Sequence, residues 1–122
     1  MAVSDGFVDY VLDQMESLGT VSPRRMFGGV GLYFEDLFFG LIAEDVVYLK
    51  VDESTRARYE AAGAKPFQPY GEGSYSMSYY EVPAGVLEDR DKLKAWAMEA
   101  VAIAARRAAE KSRPRRRRKS KG

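Results

Sequence analysis

The stretch VGLYFEDLFFGLIAEDVVYLKV, residues 30–51, decides the fold of this chain. Apolar side chains alternate along it in three short runs, and a period of two is the signature of β-strands. The dipeptides Glu35-Asp36 and Glu44-Asp45 separate the runs and predict tight turns. The stretch therefore predicts a three-stranded antiparallel meander, whose first face carries Val30, Leu32, Phe34, Leu37, Phe39, Leu41, Val47, Leu49 and Val51.

The second face of this meander is also apolar. It is predicted to carry Tyr33, Phe38, Ile42, Val46 and Tyr48. One face must pack on helices, so the other is either covered by a partner or unusually aromatic for a solvent-exposed sheet. We therefore expect an interaction surface, with Tyr33, Phe38, Tyr79 and Tyr80 as candidate contacts if they face outward.

Helices are predicted before and after the meander in the sequence. Ser4 is a suitable N-cap for an amphipathic helix over about residues 5–18, which Gly19 ends. Asp52 or Ser54 caps a short helix that stops at Gly63.

The second half of the chain adds one or two strands and a last helix. Two prolines make residues 66–70 extended, and the alternating segment 74–82 predicts a strand that ends at Pro83. Asp89 caps an alanine-rich helix that continues to about Lys111, before Pro114. The order predicts an α+β fold for residues 1–105: a two-layer sandwich of an antiparallel sheet with helices packed on one face.

Composition excludes several kinds of chemistry. The 122 residues fit one domain and include no cysteine and no histidine, which rules out disulfides, thiolate nucleophiles and histidine-based catalysis or metal binding. The remaining carboxylate pairs sit at predicted turns and caps, whose backbone chemistry accounts for them. We expect no catalytic residue, no metal and no cofactor. The N-terminus has no signal-peptide pattern and no apolar run approaches about 20 residues, so a cytoplasmic location is expected.

Charge divides the chain into two opposed parts. Residues 106–122 contain ten basic residues and one acid, Glu110, whereas residues 1–105 contain nine basic and seventeen acidic residues. The net charges are thus +9 and −8, which the overall value of +1 conceals. The basic segment is attracted to polyanions and the body repelled by them, so the segment either folds back on the body or binds nucleic acid nonspecifically.

The low-complexity end of the basic segment, residues 113–122, is predicted to be disordered when free. The cations proposed for nucleic-acid binding are Arg106, Arg107, Lys111, Arg113, Arg115, Arg116, Arg117, Arg118, Lys119 and Lys121. A tail that only aids solubility, or neutralises the body, is an equal alternative.

The densest unusual cluster is RRMFGGVG, residues 24–31. Arg24 and Arg25 beside Gly28, Gly29 and Gly31 could form an anion site, because guanidinium groups pair with phosphate or carboxylate and glycines let the backbone approach closely. The favoured interpretation is structural: the glycines allow a bend or bulge at the entry to the sheet. An enzyme or small-ligand binder built on this cluster is the alternative.

Several segments in order resemble the N-terminal domain of the TfoX/Sxy family. They are RRMFGGVGLYF from Arg24, FGLIAED from Phe39, YLKVD from Tyr48, AAGAKPF from Ala61, MSYYEVP from Met77 and LED from Leu87, followed by Trp96-Ala. The resemblance implies a small α+β domain similar to the secretion-chaperone-like sandwich. It also implies a non-enzymatic role, because the full-length regulators coactivate transcription of competence genes with a cyclic-AMP-responsive DNA-binding protein.

The regulators carry a second, helical domain, whereas here only the basic segment follows Ala105, which predicts a stand-alone N-terminal domain. We expect a regulatory or adaptor protein that acts through a protein partner, with a homodimer contact and a basic tail that attracts nucleic acid. A chaperone-like dimer that holds an extended peptide along a sheet edge is a further alternative.

Overall fold

A computed structural model describes residues 3–26, 28–68 and 76–112 of the chain. Its centre is an antiparallel sheet of six strands: β1 (Val21–Met26), β2 (Gly29–Phe34), β3 (Leu37–Ala43), β4 (Val46–Lys50), β5 (Pro66–Phe67) and β6 (Ser76–Glu81). The strand order is β1-β2-β3-β4-β6-β5. This architecture confirms the predicted α+β class with an antiparallel sheet.

The four described α-helices are α1 (Asp5–Gln14), α2 (Glu53–Ala61), α3 (Ala84–Leu87) and α4 (Arg90–Ser112). Ser4 caps α1, as predicted, but α1 ends at Gln14 and a separate 3₁₀ turn, Glu16–Leu18, follows it. Asp52, rather than Ser54, caps α2, and Asp89 accepts hydrogen bonds from the first backbone amides of α4. The short helix α3 was not predicted.

A hydrophobic core lies between the helices and one face of the sheet. Fully buried side chains from the sheet include Leu32, Ile42 and Leu49, and α1 and α4 contribute Val11 and Leu93. Each fully buried aliphatic side chain of this size contributes roughly 1.5–3 kcal/mol relative to exposure. The described helices thus share one face of the sheet, and we call the opposite face, which none of these helices covers, the open face.

A register shift between β2 and β3 corrects the predicted faces. Leu32 pairs with Gly40 whereas Tyr33 pairs with Phe38, so Phe39 is an extra residue in β3. A bulge of this kind moves the residues that follow it to the opposite face. Ile42 is therefore buried in the core, and Leu41 lies on the open face, the reverse of the prediction.

The strand β1 is the main element that the sequence did not predict. The predicted meander begins at Val30, but residues 21–26 also pair with β2, over six residues, and form the edge of the sheet. Pro23 lies in the middle of β1, which an edge strand tolerates because proline lacks only an outward-facing donor there. Gly28, at the turn into β2, has a positive φ of 80°, in agreement with the predicted bend.

Candidate interaction surface

A row of rings and cations crosses the open face of the sheet. It consists of Arg24 on β1, Tyr33 on β2, Phe38 on β3, Lys50 on β4 and Tyr79 on β6, and we call it the aromatic row. The register places them together, since Tyr33 pairs with Phe38 and Lys50 pairs with Tyr79. Five neighbouring strands thus contribute one side chain each to one surface.

Contacts along the aromatic row are continuous. The Tyr33 and Phe38 ring centroids are 5.2 Å apart, and those of Phe38 and Tyr79 are 5.8 Å apart. The Arg24 guanidinium lies 4.6 Å from the Tyr33 centroid, and Lys50 Nζ lies 4.6 Å from that of Tyr79. Such ring pairs and cation–π contacts each contribute roughly 0.5–1.5 kcal/mol, so the row is ordered before any partner binds.

Four of the five members of the aromatic row are half-buried. Tyr33, Phe38, Lys50 and Tyr79 all have intermediate exposure, whereas the core residues of the same strands are fully buried. Burial raises the pKa of the Tyr79 hydroxyl, and the nearby Arg107 charge partly opposes that rise. These rings provide a preformed apolar surface with a cation toward each end.

A second ring pair lies toward the other edge of the open face. The Tyr48 and Phe67 rings meet edge to face, with centroids 5.0 Å apart. Burial raises the pKa of Tyr48, and the charges of Glu81 and Glu44 raise it further. This end of the face is therefore apolar with acidic neighbours, whereas the aromatic row carries cations.

The glycine Gly31 lies beneath the aromatic row. A Cβ added there would lie 2.7 Å from Met26 Cε and 3.0 Å from Phe38 Cε1, so the neighbouring side chains fold over this position. Gly29 is tighter, because a Cβ would come within 2.6 Å of the Ile42 backbone oxygen. Gly29 thus permits close approach to the backbone of β3, and Gly31 leaves room for side chains that cross the open face.

The two arginines of the cluster at residues 24–31 point apart. Arg24 lies over Tyr33 on the open face, with Asp36 3.9 Å away, and its side chain is 60% exposed. Arg25, the next residue of β1, donates a hydrogen bond of 2.6 Å to Asp5 of α1, on the helical side. They do not converge on one anion in the structure, because neighbouring residues of a strand face opposite ways.

One predicted contact is wrong in its placement. Tyr80 is only 1% exposed, packs near Tyr59 and donates a hydrogen bond of 2.7 Å to Glu60. It belongs to the core, because Tyr79 and Tyr80 alternate across the sheet. Tyr33, Phe38 and Tyr79 do lie on the open face, as the interaction surface requires.

The basic segment divides at the end of α4. Arg106, Arg107 and Lys111 lie within that helix, and Arg106 forms an ion pair with Asp52, so Arg106 belongs to the folded body. The remaining predicted tail cations, Arg113, Arg115, Arg116, Arg117, Arg118, Lys119 and Lys121, lie outside the described residues. Among the described residues, no group of three His, Cys, Asp or Glu side chains is arranged to hold a metal ion.

The sequence analysis missed Lys50 as a member of this surface. The sequence could have indicated it, because residues two apart in a strand share a face and the pattern already placed Tyr48 on the second face. The electrostatic effect of Arg107 on Lys50 and Tyr79 had no comparable signal, since it depends on how α4 docks on the sheet.

The TfoX N-terminal domain family model matches residues 13–104, about three quarters of the chain. The chain belongs to this family. The matched region begins within α1 and ends within α4, and so includes the whole aromatic row. This agrees with the resemblance of the signature segments.

One curated relative is similar to part of the chain. The chain is similar to a protein of Aliivibrio fischeri named DNA transformation protein TfoX1, with 32% identity over 69 residues. The match covers 56% of this chain and 33% of the relative, so the chain corresponds to about one third of that protein's length. Among the described helices, none is long and apolar enough to cross a membrane.

Proposed function

We propose that this protein is a non-enzymatic regulatory or adaptor protein connected with DNA transformation, which binds a protein partner on the open face of its sheet. Membership of the TfoX N-terminal family and the name of the relative support the setting. The observation that carries the proposal is the aromatic row, a preformed apolar surface opposite the helices.

Protein recognition suits this surface physically. Aromatic residues and arginine are enriched at the centres of protein interfaces, because they bury a large area for little loss of conformational freedom. The rings already restrain one another, so binding would cost little further ordering. Phe38 lies between Tyr33 and Tyr79 and is the expected centre of the contact.

Co-purification with matched variants tests this proposal. The double substitution Tyr33→Ala/Phe38→Ala removes the centre of the row, whereas Tyr10→Ala removes an aromatic side chain that is 40% exposed on α1. Proteins retained by the wild type and the Tyr10 variant, and lost from the double variant, support the proposal. Equal retention by all three folded proteins contradicts it.

The same variants test the expected homodimer. Light scattering after size-exclusion chromatography gives the mass of each protein over a range of concentrations. A wild-type dimer that becomes a monomer only in the double variant identifies a second copy as the partner on this face. A monomeric wild type assigns the face to a different protein.

The basic segment supplies a second contact in this proposal. Its cations attract nucleic acid without reading sequence, because phosphate contacts position a protein and carry no base information. The adaptor thereby joins a protein partner at the sheet to a nucleic acid at the C-terminal end.

The sheet edge favours one other candidate function. In the described residues β1 pairs only with β2, so its outer side is available for an added strand, as in peptide capture by β-augmentation. Pro23 and the exposed side chains of Arg24 and Arg25 resist such pairing, as edge strands commonly do. We therefore prefer the open face to the edge as the site of recognition.

A further inference from the structure

The end of α4 lies beside the end of β4. Asp52 follows β4 by two residues and forms an ion pair with Arg106 of α4. That ion pair brings the next residue of α4, Arg107, to the same end of the sheet as Lys50, and its charge adds to burial in lowering the pKa of the Lys50 ammonium group. Two cations from different elements thus lie toward one end of the aromatic row.

The ammonium group of Lys50 has a fixed position. Its Nζ donates a hydrogen bond of 2.9 Å to the hydroxyl oxygen of Tyr79 and lies over the Tyr79 ring. Neither Lys50 nor Arg107 forms an ion pair among the described residues, and the nearby carboxylate of Asp52 is engaged by Arg106. Holding two like charges together without a carboxylate costs free energy that a bound anion would offset.

Few acids share the strands with Lys50. Glu81, which pairs with Tyr48, is the one acid in the described strands, and the other described acids lie in helices, caps and turns. The acid nearest to Lys50 in the sequence, Asp52, is paired with Arg106.

We propose that Lys50, Tyr79 and Arg107 form a phosphate-binding site that holds the backbone of a nucleic acid. This inference rests on the proposed attraction between the basic segment and nucleic acid, and it adds a built contact on the folded body. Lys50 and Arg107 bind the phosphate oxygens, and the Tyr79 hydroxyl positions the ammonium group.

A polyanion suits the site better than an isolated anion. Lys111 lies one turn beyond Arg107, and the cations of residues 113–121 follow in the sequence. A ligand with regularly repeated charges can contact the site and the basic segment at once, which raises its affinity through effective concentration. Phosphodiesters provide that repeat in single strands and in duplexes.

Salt-dependent binding of full-length protein tests the site. Fluorescence anisotropy with labelled 20-nucleotide single-stranded and duplex DNA gives the slope of log affinity against log salt concentration. Each lost phosphate contact reduces the magnitude of this slope by about 0.9 for a duplex and about 0.7 for a single strand. We expect Lys50→Met to reduce the magnitude of the slope by the amount for about one contact. We expect Lys50→Met/Arg107→Gln to reduce it by the amount for one to two contacts.

A matched control separates the site from general charge. Lys94→Met makes the same change of charge at an exposed position near the other end of α4, and we expect the wild-type slope from it. Tyr79→Phe leaves both cations but removes the hydroxyl that positions Lys50, so we expect weaker binding with a nearly unchanged slope. Thermal unfolding confirms that each variant is folded.

Each contrary outcome identifies what has failed. Equal slopes for Lys50→Met and Lys94→Met, with tight wild-type binding, overturn the site and leave the attraction of the tail intact. Absence of wild-type binding to either DNA overturns the nucleic-acid part of the proposed function together with the site. Polyglutamate that competes as well as DNA at equal charge overturns the assignment to phosphate.

Discussion

At the residue scale, both acidic turns contain residues whose backbone lies in the left-handed region. Glu35, Asp36, Glu44 and Asp45 have φ values of 50°, 67°, 52° and 58°. Two consecutive residues with positive φ are typical of a type I′ hairpin turn, which normally contains asparagine and glycine. The sequence predicted the turns correctly, but their strain follows only from the hairpin geometry.

Replacement of Asp36 by glycine is expected to stabilise the fold. Glycine adopts positive φ without a steric penalty, and the contact that Asp36 loses is a 3.9 Å ion pair with its side chain 95% exposed. We expect the free energy of unfolding to rise by about 0.5–1 kcal/mol in urea denaturation. Asp45→Gly should gain less, because Asp45 accepts hydrogen bonds of 2.9 and 3.3 Å from Ser4. A loss of stability in Asp36→Gly would show that the turn is not strained.

Asp52 is expected to link folding to acid pH. Its pKa lies below the usual value chiefly because it accepts a hydrogen bond from the Ser54 hydroxyl, with further contributions from two backbone amides and Arg106. A lowered carboxyl pKa stabilises the fold above the unfolded value near 3.9, and this contribution is lost as pH falls through the folded value.

Asp52→Ala should lower the free energy of unfolding by about 1–2 kcal/mol at pH 7, through loss of the helix cap. The difference from the wild type should shrink at pH 3. Glu53→Ala, one residue later on an exposed position, serves as the control and should change stability little at either pH. If the free energies of unfolding of Asp52→Ala and the wild type differ by the same amount at pH 7 and pH 3, the linkage is contradicted.

At the element scale, two glycines of β2 differ in what surrounds them. The obstacle at Gly29 is the backbone oxygen of Ile42, which cannot move without breaking the pairing of β2 and β3, whereas the nearest obstacle at Gly31 is the flexible end of Met26. We expect Gly29→Ala to cost about 2–3 kcal/mol and Gly31→Ala about 1 kcal/mol or less in urea denaturation. Equal costs would mean that the side chains over Gly31 are as fixed as backbone.

Sequence periodicity predicted most of the elements but not their register. Alternation gave β2, β3 and β4, and capping residues gave the starts of α1 and α4. The bulge at Phe39 could not be predicted, because three consecutive apolar residues fit either face equally well. The strand β1 was missed because Pro23 and the two arginines are typical of a loop, and they suit a strand only at an edge.

The candidate surface shows the same limit. Alternation placed Tyr33 and Phe38 on the second face, but it did not decide which of Tyr79 and Tyr80 faces outward, because adjacent tyrosines look alike until one of them is placed in the core. The electrostatic effect of Arg107 on Lys50 joins residues 57 positions apart, so it depends on the packing of α4 rather than on any local pattern.

At the scale of the whole molecule, the boundary between body and tail lies later than composition suggests. The charge changes sign at Arg106, but α4 continues to Ser112, and Arg106 is paired with Asp52. Removal of residues 113–122 should therefore leave the free energy of unfolding unchanged. Removal of residues 106–122 should lower it, because it also cuts α4 and frees Asp52.

These two truncations also separate the electrostatic roles. Residues 113–122 hold seven of the ten cations of the basic segment. If the full chain contacts about six phosphates of a duplex, its log affinity falls with log salt at a slope near −5. The protein ending at Ser112 should retain a slope of only about −1 to −2, supplied by the site at Lys50 and Arg107, and the protein ending at Ala105 should retain less. Equal slopes for the full chain and both truncations would show that the tail does not contact the duplex, because a segment that carries most of the cations would then contribute no counterion release.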